Sequence, residues 1–358
     1  MKKNSNTSKY HFKNLVFEGG GVKGIAYVGA LEILDEEGIL KDIERVAGTS
    51  AGAMVAVLIG LGYSAKELGE VLWDIKFKNF LDKDWGVVRN TKRLLEDYGW
   101  YKGDFFRDLM AGYIEQKTGN GETTFGELKK MRKAGKPFRD IHLIGADLTT
   151  GLSVVFNSEL TPKVKIADAA RISMSIPLFF AAIKGVNKDD HIYVDGGLLD
   201  NYAIKAFDRV SFVSDKGNIR RTDYYQKNNE KLSEIKEKAN SSMDVNEFIY
   251  NKETLGFRLD SEEEIAMYLD PNAQAPTKEI KSFFTYTKAL VTTLIDFQNN
   301  VHLHSDDWQR TVYIDSLGVS AIDFEISDKK KRELVESGRK YTSSYLEWYN
   351  NDEEKANK

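Results

Sequence analysis

Hydrophobic positions over the first sixty residues switch between two periods. Leu15, Val16 and Phe17 form a short apolar run suited to a buried strand, predicted from Asn14 to Phe17, and the run meets Glu18 and three consecutive glycines. From Ile25 to Glu37 the spacing becomes helical: Ile25, Val28 and Leu31 recur together, as do Tyr27, Leu31 and Leu34, with Gly38 as the C-terminal stop. The switch then repeats. Arg45 to Ala47 reads as a strand and runs at once into GTSAG and the helical stretch AMVAVLIGLG. Two strand–turn–helix units in succession predict an α/β domain with a central sheet.

Residues 64–136 read as mainly helical, with capping-box spacing at Ser64/Glu67 and Thr124/Glu127. Their aromatics, Trp73, Phe77, Phe80, Trp85, Phe105 and Phe106 among them, fall at helical spacing. Core packing is the first expectation for them and contact with lipid the second. Strand patterns return at Asp140 to Asp147, at Leu152 to Asn157 and at His191 to Val194, with a helix from about Ile166 and an apolar segment at Ile176 to Ile183. Residues 214–247 are the most polar stretch and read as a flexible excursion. A helix around Lys278 to Asn300, a strand at Arg310 to Ile314 and a last helix capped by Ser327 complete the pattern. No repeat and no Pro/Gly/Ser linker divides the chain, so one elaborated domain is expected over 14–348, between polar tails at 1–13 and 349–358.

Composition narrows the classes of function. With 51 basic and 55 acidic residues the net charge is -4, which argues against a cationic nucleic-acid binder. There are 0 cysteines, which removes disulfides, thiolate metal sites and cysteine nucleophiles. Met1 to Lys13 lacks the apolar core of a signal peptide, and no run nears the ~20 apolar residues of a membrane span. A cytoplasmic protein is the expectation.

Three motifs can carry chemistry. Gly19-Gly20-Gly21-Val22-Lys23-Gly24 sits between a strand and a helix, where glycine lets backbone amides approach an anion or a developing oxyanion. Gly48-Thr49-Ser50-Ala51-Gly52 is a G-x-S-x-G turn whose small flanking residues hold the Ser50 hydroxyl clear of its backbone, as a nucleophile requires. Asp195-Gly196-Gly197 follows the His191–Val194 strand, and Asp195 is the strand-end carboxylate placed to serve as a base. The five histidines offer the alternative of a Ser-Asp-His triad, for which His302 and His304 have the chain order of an α/β-hydrolase. Carboxylate pairs such as Asp189-Asp190 and Asp306-Asp307 lack metal-ligand spacing, so neither metal nor cofactor is expected.

The order GGGVKG, then GTSAG, then a distant DGG resembles the patatin-like phospholipases. The segments Ala170–Pro177 and Thr254–Asp260 fit the same family, so the resemblance runs over roughly 14–348. It implies a three-layer α/β/α sandwich around a mostly parallel sheet, and hydrolysis of fatty acyl esters of membrane phospholipids during peripheral membrane contact. It further implies Ser50 as nucleophile, Asp195 as its base, and the amides of Gly19, Gly20, Gly21 and Ala51 as oxyanion hole. Lys23 stands where many members carry arginine, and Ala203 where proline is frequent. A lipid-binding protein without catalysis is the reading that an intact Ser50, Asp195 and glycine loop weigh against. The sequence names no activating partner.

Overall fold

Strand β1 (Asn14–Phe17) divides its side chains between two cores: Leu15 and Phe17 enter the main one, and Val16 the smaller one on the opposite face. The computed structural model describes residues 9–75, 77–80, 87–188, 190–238, 246–262 and 306–352, a few positions between 280 and 294, and the last two residues. The same alternation recurs in β2 (Arg45–Thr49), where Val46 faces the main core and Ala47 the smaller one. Phe17 stacks on Phe257 of the neighbouring strand with ring centroids 5.4 Å apart.

The remaining strands are β3 (Gly99–Tyr101), β4 (Asp140–Asp147), β5 (Leu152–Phe156), β6 (Leu178–Phe180), β7 (Ile183–Lys184), β8 (Ile192–Asp195), β9 (Ile219–Arg220), β10 (Tyr250–Asn251), β11 (Thr254–Asp260) and β12 (Thr311–Asp315). The central sheet runs β12-β11-β1-β2-β4-β8-β7, with β5 also paired to β4. Pairings from β12 across to β4 are parallel, while β8 and β5 run antiparallel to β4. Two small ribbons, β3 with β6 and β9 with β10, lie outside it.

Helices α1 (Ala26–Glu36), α2 (Ala51–Gly60), α3 (Ala65–Asp74), α4 (Val87–Glu96), α5 (Asp104–Thr118), α6 (Phe125–Lys133), α7 (Ile166–Ser173), α8 (Asp223–Lys238) and α9 (Asp328–Asn351) flank this mostly parallel sheet. The ten residues of α2 are buried all round, which is why its sequence is apolar on every face. Both capping boxes form, at Ser64 and Thr124, and Ser327 accepts the Lys330 amide at the start of α9. Phe77, Phe80 and Phe106 are buried in the main core, while Trp85 lies outside the described residues.

The opposite face of the sheet is covered more thinly. Ile204 and Phe207 of one 3-10 turn, with Tyr202 just before it, pack on Val16 and Ala47, and Phe207 meets the His142 ring at 4.9 Å. Helix α8 occupies part of the polar excursion read over 214–247 and joins this layer through Tyr225, which donates to Asp208. Tyr10 and Phe12, in the segment read as a polar tail, are buried against Tyr349 near the other end of the chain. The helix read around Lys278–Asn300 lies, but for a few positions, outside the described residues.

A fully buried ion cluster ties this thinner layer to the sheet. Arg310 donates to Asp208 at 2.6 and 2.8 Å, to Asp307 at 2.6 and 3.1 Å, and to the Asn251 carbonyl at 3.1 Å. Removing the guanidinium leaves two carboxylates buried beside each other. Arg310→Met is therefore expected to lower the unfolding free energy by about 3–5 kcal/mol in urea denaturation. The exposed pair Arg221–Glu247 is the control, and its loss should leave the midpoint near that of the parent protein.

Candidate active site

Strand register brings the three motifs to one end of the sheet. Phe17 of β1 pairs with Gly48 of β2, and Thr49 of β2 pairs with Ile144 of β4. Asp195, the last residue of β8, pairs with Gly145, one step further along the same β4. The chain leaves these strands at Glu18, Ser50 and Gly196, so the glycine loop, the G-x-S-x-G turn and the Asp-Gly-Gly turn emerge side by side.

Ser50 occupies the turn from β2 into α2 with φ 53° and ψ −125°, a conformation that non-glycine residues rarely take. Such strain typically costs on the order of 1–3 kcal/mol and persists only where surrounding contacts impose it. Here the Ser50 amide donates to Ser173 Oγ at 2.9 Å, and Ser173 in turn donates to the Ile144 carbonyl at 2.6 Å. Below the turn, a Cβ on Gly52 would lie 2.3 Å from the Phe17 carbonyl oxygen, and one on Gly48 would lie 2.1 Å from the Gly52 carbonyl oxygen. Only the lack of side chains lets these backbones pass. Ser50 is 6% exposed, and its hydroxyl points at Met174 Sδ, 3.7 Å away.

Asp195 is 2% exposed. Its amide donates to the Ser175 carbonyl at 2.9 Å, and its Oδ1 accepts the Gly197 amide at 2.7 Å. Oδ2 is buried with no partner aligned on it among the described residues. Burial pushes the carboxyl up to about 7, against smaller opposing contributions from the Gly197 amide and the Ser50 hydroxyl. Gly196 packs against the Ile144 carbonyl and Gly197 against Asn201, which closes the turn beneath the carboxylate.

The glycine loop opens a 3-10 turn over Gly21–Ile25 that leads into α1. Gly21 has φ +55°, and a Cβ there would sit 1.8 Å from the Ala321 carbonyl oxygen. Gly19 lies closest to Ser50: a Cβ on it would come 2.9 Å from Ser50 Cβ. The four glycine-loop and turn amides differ in what they are free to do. That of Gly19 donates to the Asn201 carbonyl at 3.1 Å. Gly20 and Gly21 lead the 3-10 turn and Ala51 leads α2, positions whose amides have no acceptor within their own helix. Gly24 packs on Ala51, and Lys23 Nζ donates to the Leu259 carbonyl at 3.0 Å.

Several residues that organise this end of the sheet have no role that their local sequence assigns, although Ser173 to Ser175 lie in the segment Ala170–Pro177 that fits the family resemblance. Asn201 donates through Nδ2 to the Gly19 carbonyl at 3.2 Å and to Glu18 Oε1 at 3.3 Å, joining the glycine loop to the Asp-Gly-Gly turn. Glu18 Oε2 accepts the Leu259 amide at 2.7 Å. Ser173, Met174 and Ser175 span from Ser50 to Asp195. The described histidines are engaged elsewhere: His11 with Tyr349 and the Lys252 carbonyl, His142 with Asn157, and His191 with Asp147 at 2.6 Å. His302 and His304 lie outside the described residues. Among the described residues no group of three His, Asp or Glu is placed to hold a metal ion, and no helix is long and apolar enough to cross a membrane.

Comparison with known proteins follows the same lines. The family model for patatin-like phospholipases matches residues 15–208. The uncharacterized protein YqhO of Bacillus subtilis (strain 168) is 29% identical over 344 residues, 92% of this chain and 97% of that one. A cGAMP-activated phospholipase of Escherichia coli (strain TW11681) is 28% identical over 214 residues, 55% of each chain. Among solved structures, VipD from Legionella pneumophila superposes with a TM-score of 0.55 at 17% identity, covering 95% of this chain and 67% of that one, a likeness of fold.

The strained turn makes a prediction independent of any activity. Ser50→Gly relieves the positive φ, and about 1 kcal/mol of added stability should remain after the extra chain entropy that glycine brings to the unfolded state. Ser50→Ala keeps the strain and should show no such gain when both are compared by urea denaturation.

Proposed function

The chain belongs to the patatin-like phospholipase family, and from that premise we propose that it hydrolyses fatty acyl esters of phospholipids through an acyl-serine on Ser50, with Asp195 as the base. The observation that carries this reading is the pairing of a serine in a strained, helix-leading turn with a fully buried carboxylate. That carboxylate has an oxygen with no partner among the described residues, and burial pushes the carboxyl up to about 7. A carboxylate that water or a guanidinium stabilised would be a poor base, whereas one deprived of solvent gains most by accepting a proton.

In the proposed reaction Asp195 takes the Ser50 proton as Oγ attacks the ester carbonyl. The amides of Gly20, Gly21 and Ala51 receive the oxyanion, each strong donor contributing ~3–4 kcal/mol. Gly19, whose amide is taken by Asn201, serves by its close approach to Ser50 and by its carbonyl, which anchors the loop. The tetrahedral intermediate collapses to the acyl-serine and the lysolipid leaves with the proton held by Asp195. Water, deprotonated by the same carboxylate, then releases the fatty acid. Exposed Leu148, in the turn after β4, and exposed Leu152, which opens β5, lie at this same end of the sheet and are apolar side chains offered to a membrane surface.

Ser50→Ala and Asp195→Asn should each reduce hydrolysis of mixed phospholipids, read as released fatty acid by mass spectrometry, by several orders of magnitude. Survival of activity in either variant overturns the assignment of that residue.

The pH dependence follows from the raised carboxyl. The proposed base works only when ionised, so kcat/KM should climb with pH through about 7 and level off above it. Stability should run the other way. Folding lifts the carboxyl from 3.8 to about 7, so the folded state binds a proton that the unfolded state releases over that window, and stability falls as pH rises across it. Asp195→Asn removes Asp195's share of this dependence and leaves that of Glu18, which burial also pushes up to about 7. The variant should be more stable than the parent at pH 8, with the difference closing only below the unfolded-state value of 3.8, toward about pH 3, where both states of the parent are protonated.

A further inference from the structure

We propose that Met174 sets the length of acyl chain the site accepts, because its thioether stands between the Ser50 hydroxyl and an aromatic cavity into which the acyl tail must pass. This rests on the reading of Ser50 as the nucleophile.

Two contacts place Met174 at that junction. Its Sδ lies 3.7 Å from Ser50 Oγ, and the same side chain lines a cavity walled by Phe80, Phe106 and Phe180 together with Gly103 and Arg171. The free volume of that cavity is about 10 Å³, room for one water molecule and not for a hydrocarbon tail. Its aromatic walls are closely packed, so the Met174 side chain is the first part to yield. Phe80 and Phe106 pack edge to face at 5.6 Å, and Phe80 is held on its other sides by Phe77 at 5.7 Å and Phe105 at 5.9 Å. Phe180 packs edge to face on Phe179 at 5.0 Å.

The backbone of Met174 is equally constrained. Ser173 Oγ accepts the Ser50 amide and the Ser175 carbonyl accepts the Asp195 amide, so residues 173–175 cannot shift without disturbing both groups. The movable part is the Met174 side chain, unbranched with three rotatable bonds and adaptable to an irregular space. Swinging it away opens a path from Ser50 into the cavity, lined by the Phe80, Phe106 and Phe180 rings on most sides and by Arg171 on one. Left in place, it admits only an acyl group short enough to stop at the thioether. Residue 174 therefore acts on which acyl chain is bound, while the dyad and the backbone amides act on the ester bond itself.

The test is the ratio of kcat/KM for nitrophenyl palmitate to that for nitrophenyl butyrate, both presented in the same detergent micelles. Being a ratio, it is unaffected if a fraction of a variant is misfolded. Met174→Ala, which leaves the path permanently open, should raise the ratio about 10-fold or more, and Met174→Phe should lower it by a similar factor. Met174→Leu, close in volume, should stay near the parent. An unchanged ratio in both Met174→Ala and Met174→Phe overturns the proposal while leaving the Ser50 reading intact. Failure of the parent protein to hydrolyse either ester, with no fluorophosphonate adduct on Ser50, overturns the underlying reading instead.

Discussion

The placement of everything at the candidate site depends on strand β4 being shared by β2 and β8. Its first five residues pair in parallel with β2 and its last three pair antiparallel with β8. Ile144 and Gly145 are thus the adjacent points at which the serine-bearing and aspartate-bearing segments are measured against each other. A slip of one residue in either ladder would turn Asp195 to the other face of the sheet, because side chains alternate with period two. Positional accuracy comes from backbone pairing within the sheet, and the turns that carry Ser50 and Asp195 can accordingly be short. β1 extends the same logic to the glycine loop, since its pairing with β2 ends at Phe17 and Gly48.

What distinguishes Asp195 from the other buried carboxylates is partnership and not depth. Glu18 is as deeply buried and is also pushed up to about 7 by desolvation, but both of its oxygens accept hydrogen bonds and Arg258 lies 3.9 Å from it. Asp208 receives two bonds from Arg310 and one from Tyr225. Both are consistent with structural service: Glu18 braces the glycine loop through Asn201, and Asp208 anchors the layer that covers the far face of the sheet. Asp195 alone combines burial, an unpartnered oxygen among the described residues, and a serine in a strained turn beside it. A perturbed carboxyl therefore points to chemistry here only when read together with its hydrogen-bond accounting.

Local chemistry made the early part of the fold legible. The change from an apolar run to helical spacing across Gly19–Gly24, and again across Gly48–Gly52, marks β1, α1, β2 and α2, and side-chain caps mark α3, α6 and α9. The three motifs were visible because their glycines and their Ser50 and Asp195 are contiguous in sequence. The long-range roles of other residues were not, even where the residue lies in a segment that fits the family, as Ser173 does in Ala170–Pro177. Ser173 reads as an ordinary helix-end serine until β4 brings it under the Ser50 amide, 123 positions away in the chain. Asn201 reads as part of a turn, and nothing local shows that its carbonyl occupies the Gly19 amide. Tyr10 and Phe12 sit in a polar stretch too short to show any period, and their burial depends on Tyr349 arriving from the other end of the chain.

On the proposed reading, the choice of a carboxylate over an imidazole as base fixes the requirements on everything around it. An aspartate in water, with a pKa of ~3.9, holds too little affinity for a proton to draw one from serine. Its basicity is created by withholding water and charge, so the site must stay dry around Oδ2 while still admitting an ester. Met174 meets both demands, because it covers the Ser50 hydroxyl with a nonpolar group when no substrate is present. A lipid acyl chain that displaces the thioether puts hydrocarbon in the same place, and the shield passes from protein to substrate without a solvated interval. A polar ester could enter only by bringing water with it, which would stabilise the carboxylate and weaken the base. Preference for an apolar acyl group is in that sense already contained in the chemistry of the base, before any contact with the rest of the lipid is considered.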